Sequence, residues 1–76
     1  MFITASQLLM AREALRIPTR VVAADLKMSY PGLSRIETGK TDPQMSTINK
    51  LVTYYQSKGV EFGPDGWVRV KPRSAE

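Results

Sequence analysis

Few side chains in this sequence are suited to catalysis, and their spacing brings none of them into a pair. The chain contains no histidine and no cysteine, which excludes an imidazole base, a disulfide framework and a thiolate metal site. The remaining acid–base groups are Glu13, Asp25, Glu37, Asp42, Glu61, Asp65 and Glu76. A chain of 76 residues also leaves little room for a substrate pocket. We therefore predict a protein that is not an enzyme and that uses no metal, cofactor or small-molecule ligand.

The charge balance points toward a polyanionic partner. Eleven lysines and arginines against seven acidic residues give a formal net charge of +4, as in many nucleic-acid-binding domains. The alternative is a domain that is merely basic. Hydrophobic residues make up 42% of the chain, enough for one small folded domain. No segment has the length of a membrane span or the pattern of a secretory signal, so we expect a cytoplasmic protein with no membrane partner.

Four helices are predicted over residues 1–59. Thr4 and Gln7 have the spacing of a capping box, which marks the start of the first helix. Ser29 is predicted to cap the third helix, and Gly39 is predicted to end it because glycine adopts positive φ easily. A further cap is predicted at Ser46. The predicted helices are residues 5–16, Thr19–Leu26, Tyr30–Thr38 and Thr47–Lys58.

A β-hairpin is predicted after Gly59, where the hydrophobic period changes. Val60–Phe62 and Val68–Val70 alternate apolar and charged residues, as half-buried strands do. The sequence of Gly63–Gly66 suits a type I turn followed by a glycine bulge, with Trp67 on the charged face. The predicted cross-strand pairs are Val60 with Val70, Glu61 with Arg69, and Phe62 with Val68. The apolar face should pack on the first and fourth helices, and residues 71–76 are predicted to form a tail.

Residues 29–43 resemble the signature S-x-x-x-I-S-x-I-E-x-G-x-x-x-P of the Cro/repressor-type helix-turn-helix regulators, also called the xenobiotic-response-element (XRE) family. The residues at the specified positions are Ser29, Leu33, Ser34, Ile36, Glu37, Gly39 and Pro43, with Arg35 and Lys40 at two of the variable positions between them. The resemblance extends from about Thr4 to Val70 and implies a mainly α, four-helix, lambda-repressor-like DNA-binding domain with a C-terminal β-hairpin. The helix-turn-helix would span about residues 19–38, and Arg12 would form a structural ion pair with Glu37.

The resemblance also implies which residues contact double-stranded DNA. Arg35 would bond guanine O6 and N7 in the major groove. Tyr30 would touch a thymine methyl group or a phosphate, or would instead be a surface aromatic that covers the second helix. Arg20, Lys40 and Thr41 would contact phosphates, or would simply be solvated. The implied contact residues are Thr19, Arg20, Ser29, Tyr30, Pro31, Gly32, Ser34, Arg35, Lys40 and Thr41.

Three residues depart from the family pattern. Pro18 replaces a Ser/Thr-type cap of the second helix, and Thr19 replaces a glutamine that usually contacts a phosphate. Lys27 replaces a glycine in the turn, so that a non-glycine residue is expected at positive φ with a cost of about 1 kcal/mol.

These observations predict a sequence-specific transcriptional regulator, a repressor of the phage, plasmid or mobile-element type. It is expected to bind a palindromic operator as a homodimer. The dimer interface is predicted on the second strand because an unpaired strand edge accepts another strand; it consists of Trp67, Val68, Arg69 and Val70. Two alternatives stay open. One is an antitoxin that binds a toxin and also its own operator. The other is a protein-interaction module that does not bind DNA.

Overall fold

The computed structural model of the chain describes residues 3–71. Its elements are α1 (Ala5–Leu15), α2 (Thr19–Asp25), α3 (Tyr30–Glu37), α4 (Met45–Ser57), β1 (Val60–Phe62) and β2 (Val68–Val70). The predicted fold class, mainly helical with a C-terminal hairpin, is confirmed. All four helices end one residue before their predicted ends, which is within the ordinary uncertainty of helix boundaries. Apart from Lys71, the predicted tail lies outside the described residues. Within residues 3–71, no helix is both long enough and apolar enough to cross a membrane.

The predicted capping box opens α1. The Gln7 amide N–H donates to Thr4 Oγ1 over 3.1 Å, and the Thr4 amide N–H donates to Gln7 Oε1 over 2.9 Å. Two otherwise unpaired backbone donors of the first turn are thereby satisfied. The helix ends at Leu15, and the φ of 57° at the next residue, Arg16, turns the chain before Pro18. These end contacts fix the length of the helix on which the rest of the domain packs.

The core contains residues from all four helices and from β1. Its buried members are Leu8, Ala11, Val22, Ala23, Leu33, Ile36, Leu51, Tyr55, Val60 and Phe62. A fully buried aliphatic or aromatic side chain contributes about 1.5–3 kcal/mol. Since Val60 and Phe62 are only 3% and 8% exposed, the hairpin is part of this core. A chain cut after Gly59 would lose both side chains, and we expect it to unfold.

The hairpin has the predicted register, with Val60 opposite Val70, Glu61 opposite Arg69, and Phe62 opposite Val68. The turn closes where the Gly63 N–H donates to the Trp67 carbonyl over 2.9 Å, and Gly66 has a φ of 87°. β1 packs against α4, and β2 packs against α1. The apolar face thus packs on the two predicted helices, although Val70 at the end of β2 is still 37% exposed.

The prediction that Ser46 caps α4 is wrong. The helix begins at Met45, and its N-cap is Gln44, which makes no side-chain cap hydrogen bond. The Gln44 carbonyl accepts the amide N–H groups of Thr47 and Ile48, each over 3.0 Å. This earlier start places Ser46 inside the first turn, where its side chain is exposed. Backbone hydrogen bonding has prevailed over the side-chain preference that Ser46 suggested.

Candidate nucleic-acid interface

The position of α3 is fixed from its inner side and from its first turn. Ser29 is extended, and its hydroxyl oxygen accepts the Gly32 N–H over 3.0 Å. Pro31 occupies the first turn, where a missing N–H costs little. Leu33 and Ile36 are buried at 0% and 6% exposure. The helix is therefore seated by apolar contacts on one side, and its opposite side is left for solvent or a ligand.

The outer face of α3 presents polar groups that are not engaged in ion pairs. Tyr30 is 56% exposed, Arg35 is exposed, and Ser34 is partly exposed. Among the described residues the salt bridges join other side chains, so the Arg35 guanidinium keeps its donors free. A guanidinium with free donors on an exposed helix face can bond the edge of a guanine or a phosphate.

The turn between α2 and α3 has the backbone conformation expected from the sequence. Lys27 has a φ of 57°, the left-handed conformation in which glycine is usual. The Met28 N–H donates to the Ala23 carbonyl over 2.8 Å, and the Lys27 N–H donates to the Ala24 carbonyl over 3.2 Å. This is a Schellman ending with lysine at the glycine position. It sets the direction in which the chain enters α3.

A groove lies between the start of α2 and the start of α3. Its lining is Pro18, Thr19, Arg20 and Tyr30. It thus brings together a hydroxyl, a guanidinium and a phenol, groups that can bind an anion such as a phosphate. Lys40 and Thr41 are exposed beyond the other end of α3. The implied contact residues therefore lie on both sides of the exposed face of this helix.

An ion pair connects α3 to α1, as the resemblance implied. Arg12 Nε donates to Glu37 Oε2 over 2.7 Å, and the two side chains are 15% and 5% exposed. Arg12 also donates to the Ile17 carbonyl over 3.0 Å. The hydrogen bond to Glu37 raises the pKa of Arg12 further above its ordinary value. Since Glu37 is the last residue of α3, the pair fixes the C-terminal end of that helix.

A second connection was not predicted from the sequence. The Tyr54 hydroxyl on α4 donates to Asp25 Oδ2 at the end of α2 over 2.6 Å. Desolvation, followed by this hydrogen bond, raises the pKa of Tyr54 to about 12. The two residues are 29 positions apart, so only the tertiary fold brings them together. The contact braces α2, which carries Thr19 and Arg20.

The residues proposed for dimerisation belong to a different part of the molecule. Trp67 is 44% exposed, and the Arg69 guanidinium carbon lies 5.5 Å from the centre of its ring. Glu61 accepts hydrogen bonds from Arg69 and Lys71, and these bonds lower the pKa of the Glu61 carboxyl. The hairpin packs mainly on α1 and α4, so its charged face is separate from the exposed face of α3.

A family comparison agrees with this geometry. A family model described as a helix-turn-helix domain matches residues 5–62, which include all four helices and β1. No curated protein and no solved structure matches the chain. Domains of this kind occur in XRE-type regulators and are typically not enzymes. The chain belongs to the helix-turn-helix domain family, whose members include DNA-binding regulators.

Proposed function

We propose that this protein is a sequence-specific transcriptional regulator that places α3 in the major groove of double-stranded DNA. One observation carries the proposal. The buried side of α3 and its ion pair with α1 hold the helix in place, while its exposed face presents Tyr30, Ser34 and Arg35. A short, rigidly held helix with hydrogen-bonding side chains on its free face has the geometry that the major groove accepts. The net charge of +4 favours approach to the phosphate backbone.

Arg35 is the side chain that we propose for base recognition. Its five donors can bond O6 and N7 of one guanine in a bidentate manner. Tyr30 would contact a thymine methyl group or a phosphate from the groove edge. Pro31 and Gly32 offer no hydrogen-bonding side chains, so they would let the backbone approach DNA closely. Part of the specificity would then come from DNA shape.

The remaining implied residues would position the protein on the backbone of DNA. Thr19 and Arg20 would hold a phosphate in the groove at the start of α2, and Lys40 and Thr41 would hold another beyond α3. Ser29 already accepts the Gly32 N–H, but its hydroxyl proton stays available for a phosphate oxygen. Such contacts set orientation and affinity rather than sequence preference.

We further propose that the protein acts as a homodimer on a palindromic operator and represses transcription by blocking the promoter. Support comes from two exposed side chains at the outer edge of the two-stranded sheet: Trp67, just before β2, at 44%, and Val70, at the end of β2, at 37%. An outer strand edge can pair with a second chain. A two-fold axis would place two α3 helices about 34–36 Å apart, matching inverted half-sites.

Selection from a random duplex library with the full chain tests the proposal. We expect enrichment of inverted repeats whose half-sites are centred about 10 base pairs apart. Binding to unselected DNA should be weaker and should fall steeply as salt is raised. Enrichment of single half-sites would retain DNA recognition and contradict the palindrome. The absence of any enriched sequence, together with salt-insensitive binding, would favour the alternative of a protein-interaction module.

A further inference from the structure

The outer edge of β2 has a defined set of free backbone groups. The Gly63 N–H donates to the Trp67 carbonyl, and the Lys71 N–H donates to the Gly59 carbonyl. Because hydrogen-bonded pairs alternate along an antiparallel ladder, the pair of Glu61 with Arg69 is also of this bonded kind. The backbone groups of Val68 and Val70 therefore point away from β1. A strand added to this edge would bond to these two residues.

Only three registers allow two copies of β2 to pair about a two-fold axis through these groups. An axis at Arg69 would place the two Arg69 side chains opposite each other. An axis at Val70 would place Arg69 opposite Lys71 of the second copy. Like charges directly opposite each other destabilise a sheet. An axis at Val68 instead places Trp67 opposite Arg69 of the second copy, a favourable cation–π pairing.

The indole that this pairing needs is held in place. Gln7 is fully buried, and its Nε2 donates to the carbonyls of Gly63 and Trp67 over 2.9 and 3.2 Å. A Cβ atom at Gly63 would overlap the Trp67 ring, so the ring lies flat against this glycine. An aromatic side chain that is ordered before association loses less entropy on binding.

We propose that two copies of this chain join through β2 in the register centred on Val68, with Trp67 of each copy against Arg69 of the other. The partner is thus a second copy of the same chain, selected by the complementarity of an indole and a guanidinium. This inference rests on the proposed homodimer. It names the strand register and the residues that determine it.

Cysteine scanning tests the register directly, because the chain contains no cysteine of its own. Three single variants are compared under mild oxidation: Val68→Cys, Arg69→Cys and Val70→Cys. Only residues on the axis face themselves, at a Cα separation of about 5.5 Å that a disulfide can span. We expect Val68→Cys to form a covalent dimer and the other two to stay largely monomeric on a non-reducing gel.

A second measurement examines the side-chain pairing without a cysteine. Arg69→Gln removes the cation while keeping a long polar side chain, and we expect dimerisation to weaken about fivefold to tenfold by sedimentation. Lys50→Gln is the charge-matched control, because it removes one cation from an exposed side chain on α4, outside the strand edge. It should leave the dissociation constant within about twofold.

The possible outcomes distinguish a wrong strand register from the absence of the homodimer. Cross-linking at Arg69 or Val70 would retain the dimer and overturn the register. A sedimenting dimer without cross-links at any of the three positions would place the interface elsewhere. A monomer at all concentrations would overturn both the homodimer and this inference, whereas DNA recognition would still be judged by the library selection.

Discussion

α1 is tied to two regions of the molecule by different chemistry. The connection to the hairpin is neutral: the Gln7 side chain donates two hydrogen bonds to the carbonyls of Gly63 and Trp67, and its Oε1 accepts from the amide and the hydroxyl of Thr4. The connection to α3 is an ion pair, in which Arg12 Nε lies 2.7 Å from Glu37 Oε2. Gln7 satisfies its acceptor and both donors without burying a charge, whereas the pair places Glu37 at 6% exposure.

The two contacts therefore differ in how much stability is lost when each is removed. Without Gln7, the Gly63 carbonyl still accepts the Gly66 N–H, and the Trp67 carbonyl still accepts the Gly63 N–H. Without Arg12, Glu37 would be a buried carboxylate without its cation, which costs more than a lost neutral hydrogen bond. The candidate DNA-contacting helix is therefore held by the more sensitive of the two contacts.

Arg12→Ala should give the largest loss of stability. We expect the free energy of unfolding to fall by about 1–3 kcal/mol, because Glu37 loses its charge partner in a mostly buried site. Urea unfolding followed by circular dichroism measures the change. A double-mutant cycle with Glu37→Gln should show coupling between the two positions, and additive effects would mean that the pair contributes nothing as a pair.

Arg35→Ala should leave the fold intact and change DNA binding. Discrimination at one base pair should fall by about 1–3 kcal/mol, since a bidentate contact to guanine would be lost. Lys40→Ala is the comparison variant: it should weaken binding to all sequences alike and reduce the slope of log affinity against log salt by about 1. Titration of specific and random duplexes measures both. An equal loss on both duplexes with Arg35→Ala would remove it from base recognition.

Gln7→Met should have a smaller effect on stability than Arg12→Ala. The loss should be about 1–2 kcal/mol, because the turn carbonyls keep other donors and no charge is left unpaired. Trp67 is the only tryptophan in the chain, so its fluorescence anisotropy reports the hairpin directly and should fall. Gln44→Met, at an exposed position without a side-chain cap bond, should leave the signal unchanged. If the fluorescence anisotropy of Trp67 were unaltered in Gln7→Met, the Gln7 hydrogen bonds would not be what holds the hairpin.

Tyr55→Phe should have the smallest effect, and the effect should be stabilising. The Tyr55 hydroxyl is buried without a hydrogen-bond partner among the described residues, and burial raises its pKa. Removing it should increase the free energy of unfolding by up to about 1 kcal/mol. Tyr54→Phe is the matched control and should destabilise, because it removes the bond to Asp25. A loss of stability in Tyr55→Phe would indicate a hydroxyl that does bond, for instance to a buried water.

Much of this arrangement followed from the sequence because it depends on local chemistry. Thr4 and Gln7 define a cap within four residues, and the turn residues of Gly63–Gly66 determine the strand register. The pairing of Arg12 with Glu37 came from resemblance to a family rather than from spacing. In the first two cases the signal lies within a few neighbouring residues, and in the third it lies in a family pattern that spans two helices.

The features that escaped prediction are those created by tertiary packing. Gln7 already had a local role as a cap, which concealed its two bonds to residues 56 and 60 positions away. Tyr54 and Tyr55 are neighbours in sequence, yet the Tyr54 hydroxyl donates to Asp25 and the Tyr55 hydroxyl has no hydrogen-bond partner within residues 3–71. Ser46 had the right side chain for a cap, but the Gln44 carbonyl started the helix earlier. No local pattern contains this information.

The long reach of Gln7 has a consequence for how the protein is made. A ribosome releases the chain from its N-terminal end, so the partners of the Gln7 side-chain amide emerge only after nearly the whole domain has been synthesised. Until then the hairpin cannot cover its part of the core, and we expect Tyr55, whose ring centre lies 6.5 Å from that of Phe62, to stay open to solvent or to chaperones. Completion of the domain thus coincides with completion of β2. We therefore expect the core to close only when β2 has been synthesised, together with the strand edge that we propose to pair with a second chain.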